Sequence, residues 1–182
     1  MTPAEQAVNV LKTSAPFESL ANELLQRIAI LGRPMRYRAG ETIYEVDAAA
    51  DDIYVVMEGE VEHAFDPGLA VATQLVKVVG PGNIFGWAAL FKDPPGAAPR
   101  TRLAKTVSLR DTEVLAINAQ ALIDVLGQGP SGTREQVMAR FASMVTRMYG
   151  FAGFVKIKGK LVPAHIATSN SAVPLEYDTF AF

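Results

Sequence analysis

Apolar positions near the N-terminus recur every three or four residues. Ala4, Ala7, Val8 and Leu11 share one side of a helix predicted over residues 3–13, and Pro16 interrupts it. Phe17, Leu20, Leu24, Leu25, Ile28 and Leu31 continue the same period and predict a second helix, closed by Gly32 and Pro34.

From Met35 to Ile117 the pattern changes. Short runs rich in Val, Ile, Tyr and Thr alternate with Gly, Pro and Asp breaks. Met35–Arg38, Thr42–Val46, Ile53–Met57, Val61–Phe65, Gln74–Val79, Leu103–Leu109 and Glu113–Ile117 all read as strands. The breaks at Ala39-Gly40, Asp47–Asp52, Glu58-Gly59, Asp66–Gly68 and Gly80–Asn83 read as turns. Gly40, Gly59 and Gly82 fall where a left-handed backbone is cheap only for glycine. Many short strands at this spacing predict an all-β sandwich or barrel.

Helical periodicity returns after Asn118, which is placed to cap a short helix over Ala119–Leu126. Gly127, Gly129 and Pro130 break it, and a longer helix is expected over Thr133–Tyr149. Its stripe of Val137, Phe141, Met144 and Met148 is heptad-like and suits either packing on its own barrel or a dimer seam. In the tail, Phe154–Val162 alternates apolar residues with Lys156, Lys158 and Lys160, like an edge strand or a hairpin about Gly159. Such a lysine row reads as a solvated edge that discourages pairing; the other reading is contact with an acidic partner.

Composition narrows the chemistry. The chain has 182 residues and a formal net charge of −2, which suits one compact domain with extensions and argues against a basic nucleic-acid surface. It has no cysteine, so disulfides, thiolate zinc sites and a cysteine nucleophile are excluded. Its only histidines are His63 and His165, too few for a three-histidine metal site. No apolar run is long enough to span a membrane, and the first residues lack a basic segment followed by an apolar run. A cytoplasmic protein is therefore expected. Asp51-Asp52 and the Glu58/Glu60 pair read as solvated positions, and His63 reads as a half-buried structural residue in its strand. No Gly-x-Ser-x-Gly, Walker or dinucleotide fingerprint is present. An enzyme is not expected.

Several segments, in order, resemble one family. Arg38-Ala39-Gly40-Glu41-Thr42-Ile43-Tyr44 is similar to the first hairpin of cyclic-nucleotide-binding domains, the family of the catabolite activator protein and the regulatory subunit of protein kinase A. Asp52–Val61 resembles its strand, glycine turn and strand. Gly80-Pro81-Gly82-Asn83-Ile84-Phe85-Gly86 resembles the approach to its phosphate cassette. Ala104–Ile117, through Asp111-Thr112-Glu113-Val114-Leu115, resembles the closing strands. The resemblance covers roughly residues 17–149. It implies a mainly β fold with flanking helices: a double-stranded β-helix, or jelly-roll-like β-roll, with N-terminal helices and a C-terminal helix pair. Residues 1–16 are then an N-terminal helical extension, and 150–182 a C-terminal extension.

In this family the cassette reads Phe-Gly-Glu, a small or aliphatic pair and Leu, followed by Arg-Ser/Thr-Ala. The amides of a short helix and the arginine hold the cyclic phosphate, and the glutamate accepts from the ribose. Here the segment is Phe85-Gly86-Trp87-Ala88-Ala89-Leu90, so Trp87 stands where the glutamate would be. It resembles the Phe-Gly-Trp form of single-domain bacterial variants. The aligning arginine is Arg102, in Arg102-Leu103-Ala104, across a long loop in which Arg100 competes for the same role. The resemblance thus implies a ligand site of Gly86, Trp87, Ala88, Ala89, Arg102, Leu103 and Ala104. Losing the carboxylate would weaken binding by about ten- to a hundredfold, the equivalent of a charged hydrogen bond worth roughly 1.5–3 kcal/mol. Trp87 is either a pocket filler or core residue, or a platform for a ligand ring. Arg102 is either the anion ligand or a surface or structural ion pair.

The expected function is non-enzymatic sensing or regulation by a small anionic ligand such as cyclic AMP or cyclic GMP, with a degenerate cassette. No metal or other cofactor is expected. The alternative is a ligand-free scaffold for dimerisation or protein interaction. The expected partner is a second copy through helix 133–149, or another protein. Residues 150–182 leave no room for a three-helix winged module, so DNA is not an expected partner.

Overall fold

The computed structural model describes residues 2–65, 75–90, 101–102, 104–149, 154–157 and 160–163. Helix α1 spans Pro3–Thr13. The Thr2 hydroxyl accepts from the Glu5 amide, and the Glu5 carboxylate accepts from the Thr2 amide, so two orphan donors are satisfied reciprocally. Helix α2 spans Asn22–Leu31 and buries Leu24, Leu25, Ile28 and Ala29.

Phe17 and Leu20 were expected in this second helix but precede it. They sit in consecutive tight turns, Phe17 N–H to Ser14 O at 2.8 Å and Leu20 N–H to Phe17 O at 3.0 Å. Turns of this kind also place apolar residues three apart, so the period alone does not separate them from a helix. The turns let Phe17 reach Phe141 edge-on, with ring centroids 5.5 Å apart. Gly32 ends α2 at φ −75°, an ordinary conformation for any residue. Its role is space: a Cβ there would lie 2.5 Å from the Leu115 side chain.

The strands are β1 (Arg33–Tyr37), β2 (Thr42–Tyr44), β3 (Asp52–Glu58), β4 (Val61–Phe65), β5 (Leu75–Val79), β6 (Ile84–Phe85), β7 (Ala104–Ser108) and β8 (Thr112–Asn118). They form two antiparallel four-stranded sheets, β1-β8-β3-β6 and β2-β7-β4-β5. The expected strands are present with shifted ends, and the two-residue β6 was not anticipated. It is too short to display alternation. The expected glycine turns hold: Gly40, Gly59 and Gly82 have φ of 82°, 88° and 78°.

Alternation along the central strands sorts the side chains into two layers. Ile53, Val55 and Met57 of β3, with Leu115 and Ile117 of β8, pack with the helices. Tyr54 and Val56, with Val114 and Ala116, face the other way and join Tyr44, Val61, Val79 and Phe85 between the sheets. Both faces of β3 are thus buried, which explains its unbroken apolar run.

Asn118 caps helix α3 (Ala119–Gly127), its side-chain oxygen accepting from the Ala121 amide at 3.0 Å. Helix α4 spans Thr133–Tyr149. Val137, Phe141 and Met144 of its stripe are buried in the chain's own core, and the Met148 side chain lies outside the described residues. Strands β9 (Phe154–Ile157) and β10 (Lys160–Pro163) pair antiparallel as a separate hairpin; Lys158, Gly159 and the rest of the tail lie outside the described residues. Among the described residues no helix is long and apolar enough to cross a membrane.

Candidate functional site

Strand β6 ends at Phe85, and Gly86 turns the chain at φ 77°. A Cβ at Gly86 would lie 2.9 Å from Arg102 Nη1 and from Tyr54 Cδ2, and 3.2 Å from the Asp52 carbonyl. Only glycine satisfies both the dihedral and the space. A single 3₁₀ turn, Trp87–Leu90, follows, with the Ala89 amide donating to Gly86 O at 3.2 Å.

Arg102 is brought to the same place from the opposite sheet. Its amide donates to Ala48 O at 2.7 Å, and its carbonyl accepts from the Asp47 amide at 2.9 Å, so the 47–50 loop clamps its backbone. The side chain is 3% exposed. Nη1 donates to Gly86 O at 3.0 Å, and Nη2 lies 3.5 Å from the Tyr54 hydroxyl. The guanidinium carbon stands 4.4 Å from the Tyr44 ring centroid and 5.2 Å from that of Tyr54. Nε is buried and makes no hydrogen bond among the described residues.

Among the described residues no carboxylate reaches Arg102. Asp52, on the neighbouring strand, is engaged by Arg33 at 2.6 Å. Arg102 is therefore neither a surface residue nor, among the described residues, an ion-pair member. An enclosed guanidinium without a counter-ion is costly. The arrangement suits it to receive an anion.

Its surroundings are aromatic and neutral. Tyr54 stacks on Phe85 with centroids 4.9 Å apart and planes 12° apart. His63 is fully buried rather than half-buried, because β4 is covered by both neighbours, β5 and β7, and faces the other sheet. Its Nδ1 lies 2.8 Å from Thr106 Oγ1 and 3.4 Å from the Tyr44 hydroxyl. Burial, aided by the Arg102 charge, lowers its pKa to about 4, so the ring is neutral at physiological pH. Burial also pushes the Tyr54 phenol up, against the opposing pull of Arg102.

Of the expected site residues, the structure brings Gly86 and Arg102 together. Trp87, Ala88 and Ala89 are buried at 2%, 8% and 1%, and their side chains belong to the core shared with the helices, not to the interior between the sheets. Ala104 is buried in that same core, while Leu103, Arg100 and the loop between the cassette and Arg102 lie outside the described residues. Sequence reasoning did not single out Tyr44 and Tyr54 as neighbours of Arg102. The available signal was inward register on the strands facing that arginine. No group of three metal-ligating side chains occurs among the described residues.

Two antiparallel four-stranded sheets enclosing a buried arginine, with helices before and after, define a β-roll. The chain belongs to the cyclic nucleotide-binding domain family, whose model matches residues 34–128. It is 34% identical over 131 residues to an uncharacterised ABC transporter ATP-binding protein of Mycobacterium tuberculosis, covering 69% of this chain and 36% of that protein. The chain thus spans about a third of the length of the curated relatives it matches. Among solved structures, a cyclic nucleotide-binding-like protein from Brucella abortus is 27% identical, with a TM-score of 0.51, covering 67% of this chain and 98% of the other. The sensor domain of the transcriptional regulator DNR from Pseudomonas aeruginosa shares the fold at 17% identity, with a TM-score of 0.63 and coverage of 82% and 93%.

Proposed function

We propose that this chain is a non-enzymatic regulatory module whose roll interior takes one small, singly charged oxyanion, a cyclic nucleotide or a comparable phosphodiester. The observation that carries the reading is Arg102, 3% exposed and without a carboxylate partner among the described residues. With His63 neutral at pH 7, the guanidinium brings one positive charge to this cluster, and a monoanion balances it. A dianion would leave a buried negative charge.

The cassette is an altered one. Trp87 takes the glutamate's place and gives its side chain to the helix core, so it offers the ligand neither a carboxylate nor a stacking face. Recognition of a ribose would be weakened accordingly. The same placement suggests the output. An anion drawn to Arg102 acts on the Gly86 carbonyl, and the 3₁₀ turn after Gly86 packs in the core with α3 and α4. A ligand that prefers one position of this turn shifts those helices, and a second copy or another protein reads them. Because Val137, Phe141 and Met144 are already buried, a partner would use other residues of α4.

A ligand-free scaffold is the second reading. It is favoured by the Tyr44 and Tyr54 rings, which already cover the guanidinium.

Thermal unfolding with millimolar cyclic AMP, cyclic GMP or inorganic phosphate separates the two. Trp87 is the only tryptophan, so its fluorescence follows the cassette. A sensor gains about 2.7 kcal/mol at a hundred times its dissociation constant, and the gain vanishes in Arg102→Met. No shift with any probe would favour the scaffold.

A further inference from the structure

The Arg102 guanidinium has two edges with different fates. Nη1 is committed to the Gly86 carbonyl at 3.0 Å. Among the described residues the edge formed by Nε and Nη2 is unsatisfied: Nε is buried and makes no hydrogen bond, and Nη2 has only the 3.5 Å contact to the Tyr54 hydroxyl. An oxyanion meets a guanidinium best through two parallel N–H groups, and this is the edge that still offers them.

The Tyr54 hydroxyl stands at one end of that edge. Its oxygen faces Nη2, and among the described residues no acceptor for its proton lies within hydrogen-bond distance. The ring is held by stacking on Phe85, and Tyr54 lies in strand β3 at 8% exposure, so the hydroxyl is positioned without the ligand's help. A preorganised donor costs little ordering on binding. Burial outweighs the opposing pull of Arg102 and keeps the phenol protonated, and therefore able to donate, across the neutral range.

We infer that Tyr54 is a ligand-binding residue, the third donor to an oxyanion bound along the Nε/Nη2 edge of Arg102. The inference rests on the anion-site reading above and adds to it a binding direction and a residue outside the cassette. In this arrangement the bond from Nη1 to Gly86 stays intact when the ligand enters. Ligand selection then depends on an oxyanion with two oxygens for Arg102 and one lone pair for Tyr54, a geometry that phosphate and phosphodiester groups supply.

The test is titration of the wild-type chain, Tyr54→Phe and Arg102→Met with cyclic AMP, cyclic GMP and inorganic phosphate, read by calorimetry and by Trp87 fluorescence. Tyr54→Phe keeps the ring and its stacking, and an unchanged ligand-free melting curve would show an intact fold. The expected result is loss of binding in Arg102→Met and a roughly ten- to hundredfold weaker dissociation constant in Tyr54→Phe, the value of a hydrogen bond to a charged group. Binding within twofold of wild type in Tyr54→Phe, with Arg102→Met still dead, would overturn the role of Tyr54 and leave the anion site standing. Wild type that binds none of the three probes, or Arg102→Met that binds like wild type, would overturn both. A nucleotide response without a phosphate response would show that the sugar or base contributes; the Tyr54 effect should persist in it.

Discussion

Arg102→Met should make the ligand-free protein more stable. Removing a buried polar contact usually destabilises, so the prediction discriminates. Arg102 is 3% exposed and, among the described residues, donates one good hydrogen bond, to Gly86 O at 3.0 Å, and leaves Nε unbonded. Enclosing an unpaired guanidinium costs several kcal/mol. Against that stand about 1.5–3 kcal/mol from the bond to Gly86 and roughly 0.5–2 kcal/mol from each covering ring. The balance is close to zero or unfavourable. Methionine keeps most of the length and apolar contact, needs no counter-ion, and fills irregular space well. The expected gain is about 1–3 kcal/mol, by analogy with buried ion groups replaced by apolar ones. For a chain of this size that raises the melting temperature by about 2–4 °C per kcal/mol. The assay is urea and thermal unfolding in a buffer free of phosphate and other oxyanions, since any bound anion stabilises wild type alone. A loss of about 2 kcal/mol or more would refute the reasoning: Arg102 would then be a structural residue whose charge is compensated.

Other consequences follow from the same structure. His63 has a pKa of about 4 when folded and about 6.5 when unfolded, so between these values the unfolded chain binds the extra proton. Stability is therefore full above about pH 6.5 and falls on acidification, by about 3 kcal/mol at pH 4 for this group. Urea unfolding at pH 7 and pH 5 should show a smaller loss in His63→Gln than in wild type; equal losses would exclude His63 as the source. Gly59→Ala should cost at least about 2 kcal/mol, since left-handed strain alone costs roughly 1–2. With φ at 88°, the new methyl would also lie 2.5 Å from the Asp111 carbonyl and 2.7 Å from Thr112 Cα, neither of which can yield cheaply. A melting curve like that of wild type would refute this. Phe141→Ala should cost about 3–5 kcal/mol, because the ring is fully buried against Phe17. If it instead left the melting curve unchanged while altering sedimentation, Phe141 would lie at an intermolecular seam.

The sequence by itself determined most of the elements and their order, though not the two-residue β6 or the turns that hold Phe17 and Leu20. The capping box at Thr2 and Glu5, the Asn118 cap and the turn glycines are local, because each links residues only a few positions apart. The apolar run Ile53–Met57 read as a strand, and that both of its faces are covered emerged from the structure. Gly86 and Arg102 were legible as a pair only through resemblance to a family. What tertiary structure alone decided was direction and company. Trp87 follows Phe85 by two positions, yet one faces the helices and the other the interior, because Gly86 turns the chain between them. The α4 stripe suited its own core as well as a partner, and the fold buried Val137, Phe141 and Met144 in that core, with Phe17 edge-on against Phe141. Tyr44, Tyr54 and His63 come to Arg102 from strands distant in sequence. Burial, counter-ions and pKa shifts belong to such assemblies of distant residues, so no local period encodes them.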